Sequence, residues 1–401
     1  MTARERPAPL VLVGSVASET GDEGSYRAVL MAGQRLLAAE LSRRMADLGA
    51  TAVEVASEVN VSMTPTDPEA ERSTSPFHWG RWFAREAGTT LARAALSGEI
   101  PAAVGWAAPG ALALIGDEAL GHLLDPDLGE VMANNRFSAD AFVVAADAPA
   151  ASGSPAMRPV LDRLAACPTD NGAVRCLEHA GYRARDLADQ PWSRFDVDTP
   201  HDLALLSLAT SLGRARQMES AVAEFLAMTR LPGERPLGVP YVEELGAVMR
   251  DRRARLVVAG RVPGRMVQFL ETETACRVRW FIEERGMRSA RDDRPRSLLG
   301  RWVEERSAAS LVSELSRLGD AVILDSRVLM ASIAGSAEAE RWPPAEERFA
   351  ADFGDAERIG TPWLRELIEA VIDSSVPFLL GGHTLVSDGL QLLVEAAWAG
   401  H

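Results

Sequence analysis

Residues Arg194 to Leu206 read RFDVDTPHDLALL, and the fold class follows from this stretch. Phe195 and Val197 alternate with Asp196 and Asp198. Successive side chains of an extended segment point to opposite faces, so one face buries two apolar groups and the other gathers two carboxylates. Thr199 is a good N-cap, and Pro200 suits the first helical position. Asp202, three residues past the cap, completes an acidic variant of the capping box. The stretch therefore predicts a short strand or extended turn that feeds a helix. Two carboxylates at i and i+2 on one face can share a divalent cation, and Mg²⁺ favours such oxygens alongside phosphate oxygens.

Outward from this stretch, apolar runs of strand length alternate with longer helical patterns, the signature of α/β architecture. Strands are predicted at Pro9–Gly14, Thr51–Ala56, Ala102–Trp106 and Ala141–Ala146. Helices are predicted at about Ser25–Leu48, Phe77–Arg93, Asp117–Leu124 and Asn171–Gly181, with a Gly- and Ser-rich loop over Ser15–Gly24. The Pro/Gly punctuation LPGERPLGVP, Leu231 to Pro240, reads as a linker. The alternation then restarts with strands at Arg255–Ala259, Arg277–Ile282, Ala321–Asp325 and Pro377–Gly381, and a last helix over Ser387–Trp398. The expected organisation is a domain over 1–212, a helix and linker over 213–240, and a second, smaller open α/β domain over 241–401.

Composition narrows the chemistry. Among 401 residues there are 42 basic and 57 acidic side chains, a net charge of −15, and every base is Arg. That balance repels nucleic acid and anionic membrane. The absence of Lys removes Schiff-base chemistry and a P-loop lysine, so anionic ligands must be held by Arg, backbone amides or a metal. Cys167, Cys176 and Cys276 lack metal-ligand spacing and fit a reducing compartment. No apolar run is long enough for a signal sequence or a membrane span, and the expected location is cytoplasmic.

The DVDTPHDL segment resembles the final core strand of nucleotidyltransferases with a GT-A-like fold, such as molybdenum-cofactor guanylyl- and cytidylyltransferases and 2-phospho-L-lactate guanylyltransferase. The resemblance covers roughly residues 9–210 in element order, with the motif concentrated in about a dozen residues. It implies a GT-A-like (Rossmann-like) α/β/α sandwich, Mg²⁺ as cofactor held by Asp196 and Asp198, and a nucleotide substrate with a small phosphorylated or hydroxyl acceptor. A GT-A-type glycosyltransferase acting on a sugar nucleotide, and a catalytically degenerate nucleotide- or partner-binding protein, are the alternatives. The chain departs from the family pattern after its first strand, where Gly14 to Gly24 carries no Arg and no Lys, and after its third strand, where no acid follows Trp106. The next candidate acid is Asp140.

Further candidates come from the residues alone. Gly14, Ser15 and Ser18 could present amides and hydroxyls to a phosphate. Arg81 lies in PFHWGRWF, which reads either as an aromatic shelf for a nucleotide or as the core face of an amphipathic helix. In the second half, Gly382, His383 and Thr384 follow a strand end, as do Asp325 and Arg327. Ligands of open α/β sheets bind beyond such ends. A phosphate or carboxylate is expected there, with Arg261 or Arg327 as countercharge. No residue is assigned as a protein nucleophile, and self-association is left open.

Overall fold

The computed structural model describes residues 8–16, 24–56, 78–98, 101–146, 157–284, 295–336 and 339–399. The first half runs β1 (Leu10–Ser15), α1 (Tyr26–Asp47), β2 (Thr51–Ala56), α2 (Trp79–Leu96), β3 (Ala103–Ala107), α3 (Asp117–Leu124), β4 (Glu130–Ala133), β5 (Ala141–Ala145), α4 (Arg158–Leu164), α5 (Ala173–His179), β6 (Arg183–Asp186) and α6 (Pro200–Ser211). Then come α7 (Ser220–Met228) and a short antiparallel hairpin, β7 (Arg230–Leu231) with β8 (Arg235–Pro236). The second half runs α8 (Val242–Arg250), β9 (Arg255–Gly260), α9 (Gly264–Glu273), β10 (Arg277–Ile282), α10 (Leu298–Glu305), α11 (Ala308–Leu318), β11 (Ala321–Asp325), α12 (Arg327–Ala334), α13 (Ala345–Asp352), α14 (Pro362–Ile372), β12 (Phe378–Gly381) and α15 (Asp388–Trp398).

The α/β class is as expected. The first sheet has the order β2-β1-β3-β5-β4-β6, parallel except that β5 runs antiparallel to both neighbours. The second is fully parallel, β10-β9-β11-β12. The fully buried runs VVAG in β9 and AVILD in β11 are what a parallel sheet covered on both faces requires. The chain leaves β9 for β10 on one side and returns to β11 on the other, which places a topological switch point at the carboxyl ends of β9 and β11.

β4 and β6 escape the sequence reading. Both have four residues, and β6 (RARD) carries no apolar run to signal a strand. The helix expected over Asn171–Gly181 opens as a 3-10 turn at Asp170–Gly172 before α5. The aromatic stripe resolves as core. Trp79, Trp82 and Phe83 are buried and pack edge-on against Trp106, while Arg81 points to solvent. Each such ring buries roughly 150–250 Å², which makes this cluster the main apolar anchor of α2 on the sheet.

The Leu231–Pro240 segment is folded rather than an open tether. Arg235 donates to the Tyr26 hydroxyl, to Asp355 (3.0 Å) and to the Phe353 carbonyl (3.1 Å). Tyr26 in turn stacks on Phe353 with ring centroids 5.5 Å apart. The largest apolar core runs without a break through both halves. It joins Leu30, Leu37 and Leu203 to Leu206 with Leu256 to Ala259, Leu379 and Leu393. Among the described residues no helix is long and apolar enough to cross a membrane.

Candidate functional site

The Phe195–Thr199 segment is an extended turn held from three sides. Phe195 and Val197 are buried as the alternation predicts, leaving Asp196 half-buried and Asp198 exposed. Val197 donates its amide to Gly110 O (3.3 Å), and Gln34 of α1 donates to Val197 O (2.8 Å). Gly110 has φ +87°, and a Cβ there would sit 2.6 Å from Val197 O, so only glycine permits this approach. From the second half, Thr384 Oγ1 donates to Asp196 O (3.1 Å). The two candidate sites predicted separately, around Asp196 and around Thr384, therefore adjoin.

The predicted capping box forms. The Thr199 hydroxyl accepts the Asp202 amide, and Asp202 Oδ2 accepts the amides of Thr199 (2.8 Å) and Asp198 (3.1 Å). Asp202 is fully sealed, its Oδ1 has no hydrogen-bond partner, and burial together with Asp198 pushes its carboxyl up to about 8. Asp196 is likewise raised, first by burial and then by Asp198, Asp140 and Asp202. Asp140 is placed by Asn134, whose buried amide donates to Asp140 Oδ2 (3.2 Å) and to Ser193 O (3.2 Å). The polar run before β5 thus lines the same acidic corner. Among the described residues no three His, Cys, Asp or Glu side chains converge as a ligand set. A divalent cation here would rest on two carboxylates and complete its shell with ligand oxygens and water, which is how Mg²⁺ is commonly held.

The nucleotide-binding candidates are dispersed in role. Gly14 packs where a Cβ would meet Trp106 at 2.7 Å and Pro109 at 2.8 Å, so close packing accounts for glycine there. Ser15 is half-buried at the end of β1, Ser18 lies outside the described residues, and Arg81 is exposed on α2. The amides that open α1 are already taken. Tyr26 and Arg27 donate to the Glu346 carboxylate of α13 (2.9 and 3.1 Å), and Ala28 donates to Ser25 Oγ (3.1 Å).

In the second half the expected countercharges prove to be engaged. Arg327 is 7% exposed and makes a two-point contact with Asp352, 2.6 Å at each nitrogen. Arg261 pairs with buried Asp325 through Nε (2.6 Å) and Nη2 (3.1 Å) across the switch point. Burial alone would raise the Asp325 carboxyl, but Arg261 overcomes it and holds the group below its ordinary value. Asp325, Arg327 and Arg261 are therefore internal ion pairs and not free ligands. Thr384 donates its hydroxyl to the Asp196 carbonyl, Gly382 is buried, and His383 is half-buried.

Compared with known protein families, curated proteins and solved structures, the chain matches none. Its site is read from its own geometry.

Sequence reasoning missed three groups. His201 is fully buried on α6, against Gly381 and the Phe353 ring, and burial pushes its imidazole down to about 3. Arg194 and Arg265 meet at Asp388, which pairs with the Arg265 guanidinium and is held down electrostatically by both arginines against its burial. The run GRVPGR, Gly260 to Arg265, joins β9 to α9 through Pro263 and carries Arg265 at a helix start, a signal that could have singled it out.

Proposed function

We propose that the protein is a Mg²⁺-dependent nucleotidyltransferase-like enzyme acting on an NTP and a small acceptor, with its site at the corner where Asp196 and Asp198 meet the second half. The observation that carries this reading is Asp196, which burial and the like charges of Asp198, Asp140 and Asp202 hold well above its ordinary ionisation. Clustered carboxylates in that state fit a divalent cation, with Asp196 and Asp198 as its protein ligands. The metal would supply charge neutralisation of the nucleotide phosphates. The chain's own contribution is positional: the Thr199–Asp202 cap, Gln34 and Thr384 fix the Asp196 backbone, and rigid placement is what phosphoryl-type transfer asks of a protein.

A second reading, a non-catalytic nucleotide- or partner-binding protein, draws support from Glu346. Its carboxylate already fills the α1 amide seat that a phosphate could otherwise use. Melting curves with NTPs separate the two. For the enzyme reading, nucleotides raise the melting temperature only with Mg²⁺, Asp198→Asn abolishes that gain, and pyrophosphate is released when acceptor is supplied. Stabilisation without Mg²⁺, unchanged in Asp198→Asn and with no pyrophosphate, favours the binding protein.

A further inference from the structure

We propose that the outer edge of β10 is an interface for a second copy of this chain, the two β10 strands pairing antiparallel across a twofold axis at Trp280.

β10 ends the order β10-β9-β11-β12, with no strand beyond it among the described residues. Parallel sheets are normally covered on both faces. β9 is buried from Leu256 to Gly260, and β11 and β12 are buried throughout. Every residue of β10 is half-buried or exposed, although four of its six side chains, Val278, Trp280, Phe281 and Ile282, are apolar. Ile282 is 55% exposed, and Leu298, whose neighbour Leu299 donates its amide to Glu283, is 66% exposed. By contrast the far edge of the same sheet, β12, is covered, and β6, an edge of the first sheet, is mostly charged.

The backbone of β10 is ready to pair. The amides of Arg277 and Glu283 donate inward, to Ala254 O (3.0 Å) and Gly260 O (2.9 Å). Peptide groups alternate sides along a strand, so the amides of Val278, Trp280 and Ile282 point outward. Among the described residues none of these three has an acceptor. The side chains sort by face. The Trp280 indole donates to Glu271 of α9 (3.2 Å), whereas Glu283 Oε1 accepts the Ser297 hydroxyl (2.8 Å) and the Leu299 amide (3.2 Å) at the start of α10. Even-numbered side chains therefore share the α9 face and odd-numbered ones the α10 face.

A twofold axis normal to the sheet sets each residue against one on the same face of the other copy. Centred on Trp280, it pairs Trp280 with its equivalent, Val278 with Ile282, Arg279 with Phe281 and Arg277 with Glu283. Ring then meets ring, aliphatic meets aliphatic, guanidinium meets ring, and opposite charges meet. The three outward amides all fall at hydrogen-bonded pairs. Charged side chains ordinarily guard an edge, and here they select the register. Centring on Arg279 would set guanidinium against guanidinium, and centring on Phe281 would set Val278 against Glu284. The contact is isologous, so it closes at two copies and leaves no β10 edge to propagate. It uses none of the residues assigned to the transferase reading.

The test is sedimentation velocity of the full chain over a concentration series, with melting temperature followed in parallel. The expected result is a concentration-dependent dimer. Val278→Pro removes an outward amide and no bond to β9, and proline is tolerated at sheet edges. It should weaken dimerisation at least tenfold and leave the melting temperature of the dilute protein near that of the parent. Ile282→Lys, at an exposed position, should do the same. Trp280→Cys should cross-link to its equivalent under mild oxidation with copper phenanthroline, since directly opposed hydrogen-bonded residues lie about 5.5 Å apart, within reach of a disulfide. The parent should not cross-link. A parent that stays monomeric at every concentration, a dimer unaffected by Val278→Pro and Ile282→Lys, or no cross-link in Trp280→Cys overturns the proposal.

Discussion

In the second half, Asp325, Asp352 and Asp388 each face a guanidinium, from Arg261, Arg327 and Arg265 respectively. In the first half, the charges that bear most on Asp196 are the carboxylates of Asp198, Asp140 and Asp202. The second-half acids are each matched by a guanidinium, whereas Asp196 is governed by burial and like charge. Closed pairs hold the second half together and leave little for a ligand to do. A buried carboxylate facing like charge stays protonated or recruits a cation. The contrast separates structural acids from functional ones more sharply than residue type does, since both sets are aspartates.

Breaking a closed pair should have the largest effect. Arg327→Met strands Asp352 in the interior, at a cost of about 3–5 kcal/mol by the usual behaviour of broken buried pairs. Urea unfolding should show it as a lowered midpoint, and Arg327→Met/Asp352→Leu should recover most of the loss. A single variant within about 1 kcal/mol of the parent would mean that the Arg327–Asp352 pair is not closed as described.

The pH profile sharpens the contrast next. Asp202 rises from 3.8 to about 8, so the folded chain binds the extra proton and stability falls as pH climbs through that window. His201 drops from 6.5 to about 3, so the unfolded chain binds the extra proton and stability falls as pH descends through that window. Where the windows overlap the two slopes oppose each other. Stability should be nearly flat from pH 4 to 6.5 on their account, and decline from 6.5 to 8. Asp202→Asn should remove the alkaline decline, and His201→Gln should extend it down toward pH 4. Denaturant midpoints measured across pH check both.

The smallest effect belongs to the α1 cap. Glu346→Gln keeps one acceptor for Tyr26 and Arg27 but loses the charge on the helix start, worth about 0.3–1 kcal/mol. The loss should shrink in high salt.

Legibility from sequence followed the reach of the interaction. The Thr199–Asp202 cap, the Phe195/Val197 alternation and the buried runs of β9 and β11 are local, so spacing alone revealed them. β6 was hidden because three of its four residues are charged and it lies at a sheet edge. The pairings of Arg327 with Asp352, 25 residues on, and of Thr384 with Asp196, 188 residues back, depend on packing between separate elements. No single-chain pattern encodes that. Arg261 and Arg327 looked like free countercharges because their partners were out of range. Arg194 and Arg265 went unremarked for the same reason.

The most direct test of the open acidic corner is a Mg²⁺ titration of the melting temperature at pH 8 and at pH 5, for the parent chain and for Asp196→Asn. The expected result is a saturable rise at pH 8, a much smaller one at pH 5 where protons occupy the corner, and none at either pH in Asp196→Asn. A rise that is equal at both pH values, or that persists in Asp196→Asn, would contradict the assignment of that corner to a cation.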